Sequence, residues 1–240
     1  MKIPVFIYSV LICLISNTIY SQAYQVVYNY SIIDTKDEYG IIGFGKEKLI
    51  TSEIESLSFS RNIDTVAVIK GIEEPHVQEA SEYSASIYKE FMKGLRYCPT
   101  FFNYDLKDHD YSIEWEIGES TKNILGYNCQ SAIGNYRGRN YIVFFTTDIP
   151  VQNGPHTFDN LPGLILEISS SDNVVHFLAE SIKQVDEKIY NPFTKREYID
   201  WEQFKILYKK YFERMTNYKP EEDMTVIVPN RGIEIYLDEK

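Results

Sequence analysis

The stretch Tyr111-Ser112-Ile113-Glu114-Trp115-Glu116-Ile117 places an apolar residue at every second position and a polar one between. A period of two is that of a β-strand with one face buried and the other wet. The same alternation runs through Tyr24, Val26, Tyr28, Tyr30 and Ile32, with Gln25, Asn29 and Ser31 between them. Outward from 111–117 the chain reads as successive hairpins. Residues 101–106 and 111–117 turn around Asp108-His109-Asp110, and 124–133 and 141–147 around the segment from Gly134 to Gly138. Residues 164–168 and 174–179 are joined by Ser171-Asp172-Asn173, and 224–228 and 233–237 by Pro229-Asn230-Arg231-Gly232. Residues 49–59 and 65–69 read as two further strands.

Two segments break this rhythm. Over 199–215 the residues Trp201, Phe204, Tyr208, Tyr211 and Met215 recur at three and four, the spacing of an amphipathic helix. Over 75–92, Pro75 suits a first turn, Val77, Ala80, Tyr83, Ser84 and Tyr88 fall at helical spacing, and Gly94 stands as a stop. The expected class is α+β, mostly antiparallel β: a curved open sheet packed on one or two helices, one of them lying in its concavity. The pattern equally permits a closed barrel or sandwich with the helix outside. No linker, low-complexity tract or repeat interrupts residues 22–240, so one domain is expected there.

The composition agrees with a packed β-rich domain. Of 240 residues, 44% are hydrophobic and 15% aromatic, including 20 Tyr and 13 Phe, and such rings pack well on a pleated surface. Charge points away from polyanions: 24 Lys+Arg against 35 Asp+Glu give a net charge of -11, which disfavours nucleic acid and anionic membrane surfaces as partners. Residues 1–21 carry a single charge, Lys2, ahead of the apolar run 3–15 and then Ser16, Asn17, Thr18 and Ser21, the layout of a secretory signal peptide. The run is shorter than the roughly 20 residues needed to span a bilayer, so no stable transmembrane anchor is expected. Ile12 precedes Cys13 where a lipid-attachment site needs a small residue, so the exported chain is read as not lipidated, in the periplasm or cell envelope.

Export leaves Cys98 and Cys129, which permit at most one disulfide, while two buried free thiols are the other reading. His76, His109, His156 and His176 are scattered without metal-ligand spacing, and no metal or cofactor is expected. Asp105, Asp108, His109 and Asp110 could offer oxygens to a hard cation, but they lack the glycine and distal Glu of an EF-hand and read as turn chemistry. There is no nucleophile elbow, no H-E-x-x-H and no phosphate-binding glycine loop, so no catalytic residue is assigned. The alternative to a non-catalytic role is a hydrolase assembled from distant residues, for example one using Cys129 or Cys98 with a histidine.

One set of spaced motifs stands out. It runs from Trp115 through Gly126-Tyr127-Asn128-Cys129 with Ala132, then Pro150 and Gly154-Pro155, to Asn160-Leu161-Pro162-Gly163-Leu164-Ile165. In this order the motifs resemble the GLPGLI family, exported proteins of Bacteroidota, with Asn160 where the family has Gly. The resemblance implies a half-barrel like that of lipoprotein carriers. It also implies a non-catalytic envelope protein that binds an apolar small molecule or an outer-membrane or envelope protein. Physically, three prolines and two glycines in this connection read first as architecture, a rigid loop feeding the strand that starts near Leu164, and second as the rim of a pocket.

Overall fold

The computed structural model describes residues 22–34, 39–69, 82–109, 111–218, 232–235 and 237. The leader expected over 1–21, the segment 70–81 and the first strand of the 224–237 hairpin lie outside them. The described chain forms β1 (Ala23–Asp34), β2 (Tyr39–Thr51), β3 (Glu55–Ile69), β4 (Ser84–Glu90) with a 3₁₀ turn at Phe91–Lys93, β5 (Leu95–Pro99) and β6 (Tyr104–Asp108). It continues with β7 (Trp115–Ile124), β8 (Tyr127–Tyr136), β9 (Arg139–Thr146), β10 (Leu164–Ser170), β11 (Val175–Val185), β12 (Glu197–Ile199) and the helix α1 (Trp201–Thr216). No helix among the described residues is long and apolar enough to cross a membrane.

All twelve strands belong to one sheet in the order β12-β6-β5-β4-β3-β2-β1-β11-β10-β9-β8-β7. Neighbours are antiparallel except β12, which runs parallel to β6. The order forces the sheet to curl. Strands β6 and β7 are ten places apart, about 48 Å in a flat sheet at ~4.8 Å per strand. The chain joins them in seven steps from Asp108 to Trp115, which reach about 25 Å at full extension. The sheet therefore wraps until its two ends approach, and the crossing segment carries Tyr111 and Ile113, both buried, through the core. An ion pair reinforces the closure, since Arg137 in the β8–β9 turn reaches Asp108 on β6 at 2.6 Å.

The expected 101–106/111–117 hairpin is thus corrected: its two halves sit near opposite ends of the sheet. The hairpins 124–147 and 164–179 do form, as β8–β9 and β10–β11. The β8–β9 turn has positive φ at Arg137 (44°) and Gly138 (91°), and the β7–β8 turn at Leu125 (53°) and Gly126 (88°), the two-residue geometry that matches strand twist. The single strand expected over 49–59 is split at the turn 52–54 into β2 and β3.

The inner face is filled by a loop, where a helix was expected. Residues 147–163 fold into the concavity and bury Ile149, Val151, Phe158 and Leu161 against Phe145, Ile165 and their neighbours. Each such side chain contributes about 1.5–3 kcal/mol of burial. The outer face of β3–β5 carries a second cluster, Leu57, Tyr88 and Tyr97, covered by Phe193 and Ile189. Helix α1 packs Phe204 and Tyr208 on Leu106 of β6 and Ile199 of β12. Its start is a capping box: Gln203 N donates to Asp200 Oδ1 at 2.8 Å and Asp200 N to Gln203 Oε1 at 3.0 Å. The second helix expected, 75–92, is overturned over its described part. Residues 84–90 are a strand, with both faces covered, so Ile87, Tyr88 and Lys89 are buried in succession and the period of two is hidden.

Candidate functional site

A cleft of about 460 Å³ opens where three parts of the chain meet. Glu53 of the β2–β3 turn with Phe91 and Gly94 of the β4–β5 turn form one wall. The crossing segment supplies His109, Tyr111 and Ser112, and the inner loop supplies Pro150, Gln152, Asp159 and Asn160. Its volume falls in the range of small-molecule sites, and seven of its ten lining residues carry a polar side chain, with the rings of Phe91 and Tyr111 among apolar surface.

Local chemistry holds each wall. Ser52 Oγ accepts from Ile54 N and Glu55 N, both at 3.2 Å, which fixes the tight turn presenting Glu53. Gly94, at φ 60°, closes the 3₁₀ turn by donating its N–H to Phe91 O at 3.1 Å. Asn160 takes a left-handed backbone, φ 69°, and its Nδ2 donates to Ile113 O at 3.2 Å, joining loop to crossing segment. Trp115 Nε1 donates to Asp159 O at 2.7 Å.

Beneath the cleft the loop is anchored by buried charges on the inner face. Lys89 Nζ donates to Asn153 Oδ1 at 2.9 Å and Phe158 O at 3.2 Å and stands 3.3 Å from Asp159 Oδ2. Arg96 donates to Thr157 Oγ1 and pairs with Asp108 at 2.5 Å. Glu47 Oε1 accepts from His156 N at 2.6 Å and Ser58 Oγ at 2.8 Å. Burial pushes the Asp159 carboxyl up, with Lys89 opposing it, and pushes the Lys89 ammonium down, with Asp159 opposing it. Burial, then Arg96 and Lys89, hold His156 well below the usual imidazole value, so it is neutral. At the cleft Asp159 is therefore a carboxyl raised by burial and held against the Lys89 ammonium.

The motif residues divide between these parts. Gly163 is architectural, because a Cβ there would stand 2.0 Å from the backbone oxygen of Thr146. Gly154, Pro155, Leu161, Leu164 and Ile165 are buried with it in or behind the loop, and Pro162 is exposed. Pro150 and Asn160 reach the cleft, so the loop serves as both core filling and rim. Trp115 anchors Asp159, Gly126 makes a turn, Tyr127 is half-buried against the core, and Cys129 and Ala132 lie in it.

Cys98 on β5 and Cys129 on β8 are free thiols rather than a bridge. Burial raises both, Cys98 to about 11, so neither is poised as a thiolate nucleophile. Of the aspartates near His109, Asp105 pairs with Arg196 at 3.0 Å and Asp108 with Arg96 and Arg137, and Asp110 lies outside the described residues. His176 faces Glu167 on the outer side, His76 lies outside the described residues, and of the four histidines His109 lines the cleft. Glu53, Phe91, Gln152 and Asp159 were not singled out by sequence. Lys89 carried a signal: once 84–90 is read as a strand, it falls on the same face as Ile87.

Comparison with known proteins gives a different similarity from the one the motifs imply. Residues 105–205 match the family model described as N-glycanase peptide, N-terminal domain. Solved structures of PNGF-II are similar to the chain: one in a C2 space group at 18% identity and TM-score 0.45, covering 75% of this chain and 31% of that one. Another, in P21, is 16% identical with TM-score 0.43, covering 78% and 33%. The chain thus spans about a third of the length of those structures. A search of curated proteins finds no match. The matched segment contains the whole stretch 115–165 on which the GLPGLI resemblance rested. That resemblance, and the non-catalytic binding of an apolar ligand or envelope partner expected with it, are therefore corrected.

Proposed function

We propose that this chain serves the processing of N-linked glycans, and that the cleft beside Asp159 receives the sugar-bearing asparagine of a glycopeptide. The observation that carries the reading is an overlap: seven of the ten residues lining the cleft lie within 105–205, the segment similar to an N-glycanase domain. The lining suits the ligand. The amides of Gln152 and Asn160, the hydroxyls of Tyr111 and Ser112 and the carboxyls of Glu53 and Asp159 supply donors and acceptors for sugar hydroxyls and an amide. The rings of Phe91 and Tyr111 offer apolar faces to the sugar's C–H groups. Asp159, which lines the cleft and pairs with Lys89, contributes a charged wall beside the linkage. Under this reading the apolar run 3–15 directs the chain to the compartment where such glycopeptides are met.

Calorimetric titration of the purified chain with an N-glycosylated peptide, and with the same peptide lacking the sugar, tests the reading. Binding is expected for the glycosylated peptide alone, weakened at least about tenfold by Asn160→Ala combined with Glu53→Gln, the loss of one or two good hydrogen bonds. Equal binding of both peptides, or of neither, contradicts it.

A further inference from the structure

We propose that the cleft continues onto an apolar ledge, formed by Ile54 and Met92, that takes an aliphatic or aromatic side chain of the peptide next to the glycosylated asparagine. The inference rests on the reading of the cleft as a glycopeptide site and adds the peptide part of the substrate to it.

Ile54 is 52% exposed and Met92 83% exposed. Single exposed apolar side chains are ordinary. These two are set apart by position, because each directly follows a cleft-lining residue, Ile54 after Glu53 and Met92 after Phe91. The two turns that carry them are one unit: Phe91 N donates to Ile54 O at 2.9 Å. Each turn is also braced on its own, by Ser52 Oγ on one side and by the Gly94 N–H on Phe91 O on the other. Lys93 next to Met92 is engaged with Glu90 at 2.6 Å. The two turns that carry Ile54 and Met92 are therefore held together beside the residues that line the cleft.

The choice of occupant follows from chemistry and size. A sugar ring needs partners for its hydroxyls, and aliphatic side chains provide none, so burying a sugar on the ledge costs hydrogen bonds. A second copy of the chain needs on the order of 1,200 Å² of buried surface for a stable interface, far beyond two side chains. One apolar residue of a peptide whose sugar already occupies the cleft fits both limits. Methionine, unbranched and polarisable, adapts to side chains of different shape.

The test uses two N-glycosylated peptides that differ in one residue beside the glycosylated asparagine, Leu or Ser, and the free glycan, titrated into the wild type and into Ile54→Ser/Met92→Ser. Both substitutions are on exposed turns, and unchanged circular dichroism checks the fold. The wild type is expected to bind the Leu peptide about tenfold tighter than the Ser peptide, the effect of burying part of one side chain. The double variant is expected to bind the two peptides equally and the free glycan as the wild type does. Equal binding of both peptides by the wild type, with the glycan bound, overturns the ledge and leaves the glycan reading standing. Binding of none of the three overturns both.

Discussion

Lys89 has three oxygens around its ammonium, from Asn153, Phe158 and Asp159, and none comes from the sheet that carries it. Glu47 ties sheet and loop together in another way, accepting from Ser58 Oγ of β3 at 2.8 Å and from His156 N of the inner loop at 2.6 Å. Buried charges of this kind are costly unless every one is answered, so loop and sheet specify each other's position through them. Asp108 gives this a measurable form. Burial pushes its carboxyl up, but Arg96 and Arg137 outweigh that and hold it below the ordinary value. A carboxyl depressed in the folded state adds stability that is complete above its unfolded value of about 3.9 and drains away as pH falls through the folded value. Asp108→Asn should cost about 3–5 kcal/mol at pH 7, since Arg96 and Arg137 lose a carboxylate at 2.5 and 2.6 Å while Glu234 stands farther off, at 3.6 and 3.9 Å. In urea titrations at pH 7, 5, 4 and 3 the gap to wild type should hold down to pH 5 and narrow below 4. A gap that stays constant to pH 3 contradicts the pairing.

At the scale of elements, the inner loop and the hairpin turns use glycine for different reasons. Gly126, at φ 88°, has open space around it and is needed for its backbone alone. Gly163 is needed because Thr146 O occupies the place of a Cβ. Gly126→Ala should cost about 1 kcal/mol, the left-handed penalty. Gly163→Ala should cost about 3 kcal/mol or more, because the loop must lift from β9. Thermal denaturation of both variants checks this, at roughly 2–4 °C per kcal/mol for a chain of this size; equal shifts would contradict the seating of the loop. The hairpins β8–β9 and β10–β11, whose partners are close in sequence, were legible from alternation and turn residues, and α1 from its own 3.6 period although it packs on distant Leu106. Strand β4 was not, because its two covered faces and a bulge opposite Ser58/Phe59 erase the alternation and leave spacings that mimic a helix. The buried cations Lys89 and Arg96 were not legible either. Their loop partners lie 61 to 70 residues away, and a lone basic residue reads as solvent-facing until its strand is placed.

At the scale of the molecule, the curl of the sheet produces the site. The crossing segment brings Tyr111 and Ser112 from near one end of the sheet toward the other, and the loop 147–163 meets them inside, beside the tips of β2–β3 and β4–β5. Alternating strands announce a sheet, but neither its closure nor the loop at its centre, since both depend on contacts between distant segments. The GLPGLI-like motifs fall on that loop but misled on the family resemblance, because prolines and glycines report backbone shape more than chemistry. The central claim is that the cleft handles N-glycosylated peptides. Hydrogen–deuterium exchange of the chain with and without such a peptide tests it most directly. Slowed exchange confined to residues 52–54, 91–94, 109–112 and 150–160 is the predicted result, and no protection there, or protection only on the outer face of the sheet, would contradict it.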